Sequence, residues 1–247
     1  MFTGERREQV TALLLERARS DERITGAAIT GSTARGAADR WSDLDLFLGV
    51  ADPGRVAATA REWTAFAHRE LGALHHFELR AGAAVYVVLL LGDLLEIDLG
   101  FTPADAFGPL GAGAFHTVFG DPAPRAPAPA DPGGLAGHGW HHVLHAAAAV
   151  DRGQLWRAAY WINSLRDRIL DLACVRHDLP VDHAKGADRL PPEATAPLLA
   201  TLVAELTPPA LRRSLRAATA AYLTELRYHN AELAASLTGP LTDRTTA

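Results

Sequence analysis

Apolar residues recur along this chain at two periods, and the alternation between them sets out its elements. Val10, Leu13, Leu14 and Ala18 stand among charges at helical spacing, which predicts a packing helix over residues 4–19. Ile24 to Thr30 reads as a short strand entering a Gly31-Ser32 turn, Thr33 to Asp39 as a short helix, and Asp43 to Val50 as a second strand stopped by Asp52-Pro53-Gly54. Arg55 to Leu71 returns to the helical period through Val56, Ala60, Trp63, Phe66 and Ala67. Three strand-like runs follow, His75 to Arg80, Ala84 to Leu91 and Leu94 to Phe101, the last two joined by Gly92-Asp93 as a hairpin turn. Phe115 to Phe119 suits a last edge strand.

Residues 121–137 are so rich in Pro, Ala and Gly that they read as a semi-rigid linker. Beyond them the pattern is helical over His138 to Asp151, Gln154 to Arg176, Glu193 to Leu206 and Ala210 to Leu237, punctuated by Pro180, Pro191-Pro192 and Pro208-Pro209. An α+β protein follows: a mixed sheet with flanking helices in residues 1–120, the linker 121–137, and an all-α bundle in residues 138–247.

Composition changes this picture little. An apolar share of 48% and a charged share of 21% in 247 residues are ordinary for a soluble globular protein. No apolar run reaches the roughly 18 residues of a membrane span. The charged stretch Met1 to Gln9 is unlike a signal peptide, so a cytoplasmic protein without membrane contact is expected. Cys174, the single cysteine, lies in an apolar helical pattern and reads as a buried hydrophobe in a reducing compartment. A net charge of −5 lacks the basic footprint of a nucleic-acid partner.

The candidate chemistry sits in two strands. Asp43 and Asp45 are two residues apart, so a strand puts both carboxylates on one face and turns Leu44 and Leu46 to the other. In L-L-E-I-D-L-G-F, Glu96 and Asp98 share a face in the same way, while Glu78 reads as an exposed strand carboxylate. Hard oxygen ligands close to a Gly-Ser turn are the parts that hold Mg²⁺ and a triphosphate together, which points to phosphoryl or nucleotidyl transfer.

Gly31-Ser32, Arg35-Gly36 and Ser42-Asp43-Leu44-Asp45-Leu46 together resemble the signature of the DNA polymerase beta-type nucleotidyltransferase superfamily, nearest in character to its aminoglycoside and lincosamide nucleotidyltransferases. The resemblance covers the N-terminal half directly. It implies a catalytic domain over residues 1–120 and a helical substrate-binding domain over 138–247. It also implies transfer of a nucleoside monophosphate from ATP or another nucleoside triphosphate to a hydroxyl of a small molecule, with two Mg²⁺ ions and release of pyrophosphate. Asp43 and Asp45 then ligate metal. Ile97-Asp98-Leu99 matches the third acidic position, so Asp98 completes the acceptor-side metal site or acts as general base, with Glu96 as the other choice. Gly31 lets backbone approach the phosphates, Ser32 offers a hydroxyl, and Arg35 and Lys185, the only lysine, offer cations. The implied partners are the triphosphate and the small acceptor, for a monomer or homodimer. A protein acceptor, as in nucleotidyltransferase-type antitoxins, and a silent nucleotide-binding module are the alternatives.

Two features stand apart. His138, His141, His142 and His145 form a stripe at helical spacing, read as packing and hydrogen bonding before metal binding. Trp140, Trp156, Tyr160 and Trp161 read as core aromatics.

Overall fold

Leu44, Leu46, Leu48 and Val50 alternate with Asp45, Phe47 and Gly49, and the strand they form lies inside a six-stranded sheet. The computed structural model describes residues 1–109, 113–124 and 131–246. It divides into two units, Met1–Ala128 and Pro129–Ala247. The first holds α1 (Gly4–Ser20), β1 (Ile24–Ile29), α2 (Gly31–Ala34), β2 (Leu44–Val50), α3 (Val56–Phe66), β3 (Ala73–Ala81), β4 (Ala84–Leu91), β5 (Glu96–Pro103) and β6 (His116–Phe119). The strand order is β3-β4-β5-β2-β1-β6, with β2 and β5 parallel and every other pair antiparallel.

One face of this sheet carries the core. Val10, Leu14 and Ala18 of α1 and Val56, Ala60 and Trp63 of α3 pack on Leu44, Leu46, Leu48, Val87, Leu89, Ile97, Leu99 and Phe101. Each fully buried leucine contributes about 1.5–3 kcal/mol by leaving water. The Trp63 indole N–H donates to Asp21 at 3.0 Å, so the largest core side chain keeps its polar atom satisfied. On the other face Phe47 stacks on Phe107 beside Ala28.

Local details differ from the pattern. The helix predicted over Thr33 to Asp39 is instead the single turn Gly31–Ala34, because Gly36 takes a left-handed φ of 66° and turns the chain out. The β4–β5 hairpin places Leu94, not a glycine, at positive φ, where its N–H donates to Leu91 O and the Asp93 carboxylate accepts from Leu95 N–H.

The second unit holds α4 (Pro132–Asp151), α5 (Leu155–Arg176), α6 (Pro192–Thr195), α7 (Pro208–His229) and α8 (Ala231–Thr246). Val143, Ala147, Ile162, Leu165, Leu172, Leu215, Tyr222 and Leu226 make its core. Residues 125–130 of the expected linker lie outside the described residues, and α4 begins inside its remainder at Pro132. Proline is tolerated there because a first-turn N–H has no helical partner to lose. The helix expected over Glu193 to Leu206 shrinks to α6 and a 3₁₀ turn Ala196–Thr201, since Pro197 interrupts the α-helical ladder. The long helix expected over Ala210 to Leu237 breaks at Asn230, whose extended backbone starts α8 and whose side chain accepts from Leu233 N–H at 2.9 Å. Trp156 and Tyr160 are exposed at 80% and 62%, contrary to their reading as core. Among the described residues, no helix is long and apolar enough to cross a membrane.

Candidate active site

The parallel register of β2 and β5 sets Asp45 beside Asp98 and Leu44 beside Ile97. Strand alternation then brings Asp43, Asp45, Glu96 and Asp98 to the open face while the leucines and Ile97 enter the core. Carboxylate oxygens of Asp43, Glu96 and Asp98 all lie within 4.8 Å of one another. Among the described residues this is the only group of three or more metal-ligating side chains so placed.

The electrostatics of the cluster follow from its crowding. Burial, the Glu96 charge and the Asp43 charge push the Asp98 carboxyl up to about 6. Its Oδ1 is buried and accepts no hydrogen bond. A buried carboxylate oxygen between two other carboxylates is a position at which a cation would be stabilised. The oxygen-only donor set suits a hard divalent ion.

Asp45 stands at the edge of this group. Its carboxylate packs against Gly31, where a Cβ would overlap it, and Gly31 holds a left-handed φ of 65°. Glycine is required at that point on both counts. The backbone is tied there as well, by the Thr30 N–H donating to Asp45 O at 3.1 Å. Ser32 follows in α2, and its Oγ is buried without a partner. Arg35 closes the same turn and is exposed. Lys185 lies in the second unit, exposed in the turn after Asp182–Ala184.

Arg7 was not singled out from sequence, yet it holds the chain that delivers Asp43. It is only 9% exposed on α1, and its Nη1 donates to Asp39 O at 2.6 Å and to Ser42 O at 3.0 Å. The same turn is closed by Asp39, whose Oδ1 accepts from Trp41 N–H and from the Ser42 hydroxyl. The available signal was positional: Arg7 extends the buried stripe Val10, Leu14, Ala18 backward by one helical step.

In the second unit, the histidine stripe packs with Trp161. His141 and His145 rings lie 4.2 Å apart, and His145 stacks on Trp161 at 4.9 Å. Burial, then His141 and His138, pull His142 down to about 4, so this ring is neutral at physiological pH. A cavity of about 540 Å³ opens beside α5, lined by Asp167, Arg168, Asp171 and His183 with Leu135 and Val181. A smaller one of about 290 Å³ shares Asp167 and Arg168 and adds His138, His142, Tyr160 and Ser164.

A Gly-Ser turn lies against β2, and Asp43 just before that strand meets Glu96 and Asp98 of its parallel neighbour in a group able to hold a metal ion. Residues 12–88 match the family model described as "Nucleotidyltransferase domain". Over these residues the chain is similar to a nucleotidyltransferase domain. A solved structure, an aminoglycoside 6-adenyltransferase from Bacillus subtilis, aligns over 98% of this chain and 99% of its own at 13% identity and a TM-score of 0.43, a likeness too distant to assign an activity. No curated protein matches.

Proposed function

We propose that the protein transfers a nucleoside monophosphate, AMP from ATP, to a hydroxyl of a small molecule of the aminoglycoside or lincosamide kind, with release of pyrophosphate. The observation that carries this reading is the convergence of Asp43, Glu96 and Asp98, with the buried Asp98 Oδ1 left without a donor. Asp43, Asp98 and Glu96 hold Mg²⁺, and Asp45 borders that site against the phosphate-binding turn. Bound there, the metal neutralises the triphosphate and lowers the pKa of the attacking hydroxyl. Gly31 admits the phosphate chain close to the backbone and the Ser32 hydroxyl donates to it, while Arg35 supplies a cation at the mouth of the turn. The acceptor oxygen bonds to the α-phosphorus, the bond to pyrophosphate breaks, and the hydroxyl proton passes to a carboxylate of the cluster. Asp98, set deeper than the exposed Glu96, is the candidate for that proton.

The acceptor class rests on the second unit. Asp167 and Asp171 line its larger cavity beside Arg168, which pairs with Asp171 at 2.8 Å, so the lining sets two carboxylates against one guanidinium among apolar residues. A cationic, polyhydroxylated acceptor complements it.

Thermal unfolding with each of four nucleoside triphosphates, with and without Mg²⁺, tests the site on native protein and on Asp43→Asn/Asp98→Asn. Stabilisation by one triphosphate that requires Mg²⁺ and vanishes in the variant is the expected result. Transfer of labelled AMP to a panel of aminoglycosides and lincosamides then tests the acceptor. Equal stabilisation of native protein and variant refutes the site, and label appearing on protein instead of antibiotic refutes the acceptor class.

A further inference from the structure

Strand β3 ends the sheet, and among the described residues no further strand pairs with it; His68 meets it only at Ala73 O and the His76 ring. It is nine residues long and contains neither proline nor lysine, and its one irregularity, between Ala73 and His75, lies outside the stretch Phe77 to Ala81. From Phe77 to Ala81 every residue is exposed, Phe77 at 49% and Leu79 at 54%. Phe77 and Leu79 face the same way as their β4 partners Val88 and Tyr86, and Leu90 on that strand is exposed as well, so the edge borders an apolar shelf.

The order F-E-L-R-A is antisymmetric in charge about Leu79. An antiparallel strand pair related by a two-fold axis through Leu79 sets Leu79 against the partner's Leu79, Phe77 against the partner's Ala81, and Glu78 against the partner's Arg80, twice. Directly opposed unlike charges and apolar pairs are the interactions that stabilise cross-strand neighbours. An axis through Phe77 would instead set Arg80 against Leu74 and Leu79 against His75, apolar against polar. The occupant whose charge pattern fits this edge is the edge itself.

We propose that the protein forms a two-fold dimer in which β3 pairs antiparallel with β3 of a second copy, centred on Leu79, to make a continuous twelve-stranded sheet. The contact is isologous and closes on itself, so assembly stops at two copies.

Sedimentation velocity of the full chain from about 1 to about 100 µM, a range that brackets micromolar affinity, tests it with a charge exchange. The wild type sediments as a concentration-dependent monomer–dimer mixture. E78R and R80E each place like charges opposite one another twice, and each weakens dimerisation by roughly tenfold or more. An equimolar mixture of E78R and R80E restores both unlike pairs and forms a heterodimer of wild-type strength, and the double variant E78R/R80E dimerises with itself. Far-UV circular dichroism and unchanged melting temperatures establish that these exposed substitutions leave the fold intact. A wild type that stays monomeric throughout the range, assembles beyond two copies, or is unaffected by the single substitutions overturns the proposal. So does a mixture of the single variants that remains monomeric.

Discussion

Replacing Arg7 by methionine keeps the apolar stem in its place on α1 and removes the guanidinium that ties down residues 39–42. Two hydrogen bonds are lost, to Asp39 O and to Ser42 O, and Ser42 is the residue before Asp43. A hydrogen bond from a charged donor is worth about 1.5–3 kcal/mol, and two that share one nitrogen are worth less than twice that. If about 2 kcal/mol of this total holds the turn in its observed form, its loss shifts the equilibrium between ordered and disordered turn about 30-fold. Asp43 then meets Glu96 and Asp98 in a smaller fraction of molecules.

The expected consequence is a fall of roughly 10- to 100-fold in kcat/KM for pyrophosphate release, carried mainly by kcat, because the lost geometry concerns the reacting phosphate more than binding. Hydrogen exchange supplies the independent readout: Ser42, Trp41 and Asp39 N–H groups, which donate to Asp39 O, Asp39 Oδ1 and Ser42 Oγ, lose protection in Arg7→Met. Arg7→Lys restores a charge that reaches one carbonyl and recovers part of both signals. A variant with wild-type kcat/KM, or one whose turn exchanges as slowly as before, refutes the positioning role. A melting temperature lowered without either change assigns Arg7 to stability alone.

Gly31→Ala forces a Cβ into the Asp45 carboxylate at a left-handed φ, so nucleotide-dependent thermal stabilisation is lost while the melting temperature of the free protein falls by only a few degrees. Asp21 is held at about 2, chiefly by the Arg23 guanidinium and with help from the Trp63 N–H, against an ordinary 3.8. Its folded pKa lies below the unfolded one, so its contribution of about 2 kcal/mol is complete above the unfolded value and drains away as pH falls from about 4 through about 2. Urea unfolding should accordingly show Asp21→Asn weaker than wild type at pH 6, with the gap closing toward pH 2. Gly139→Ala puts a Cβ into the ring of Tyr222, a fully buried side chain whose hydroxyl donates to Ala136 O at 2.6 Å. Although alanine is the better helix former by about 1 kcal/mol, the overlap should destabilise the second unit by roughly 1–3 kcal/mol, read as an earlier unfolding of its helical signal.

The parts of the site that were legible in sequence are those fixed by local periodicity. A strand repeats every two residues, so L-D-L and E-I-D-L must put acids on one face and aliphatics on the other wherever the strands lie. What periodicity leaves open is how neighbouring strands are staggered and which way a side chain leans. Asp45 and Asp98 are neighbours in the parallel ladder, yet Asp45 packs against Gly31, and the exposed Glu96 joins Asp43 and Asp98 in its stead. That choice depends on a contact between β2 and the turn after β1, between residues 31 and 45. Arg7 was hidden for a related reason: a single arginine in a charged helix looks like surface, and only the turn it meets, more than thirty residues on, gives its buried position a purpose. The misread helices have the opposite cause, since Pro197 and Asn230 act through the backbone within one turn. Pro197 denies the ladder an N–H, and Asn230 offers its side chain to the amide of Leu233, so in each case one residue overrides an apolar pattern that runs on past it.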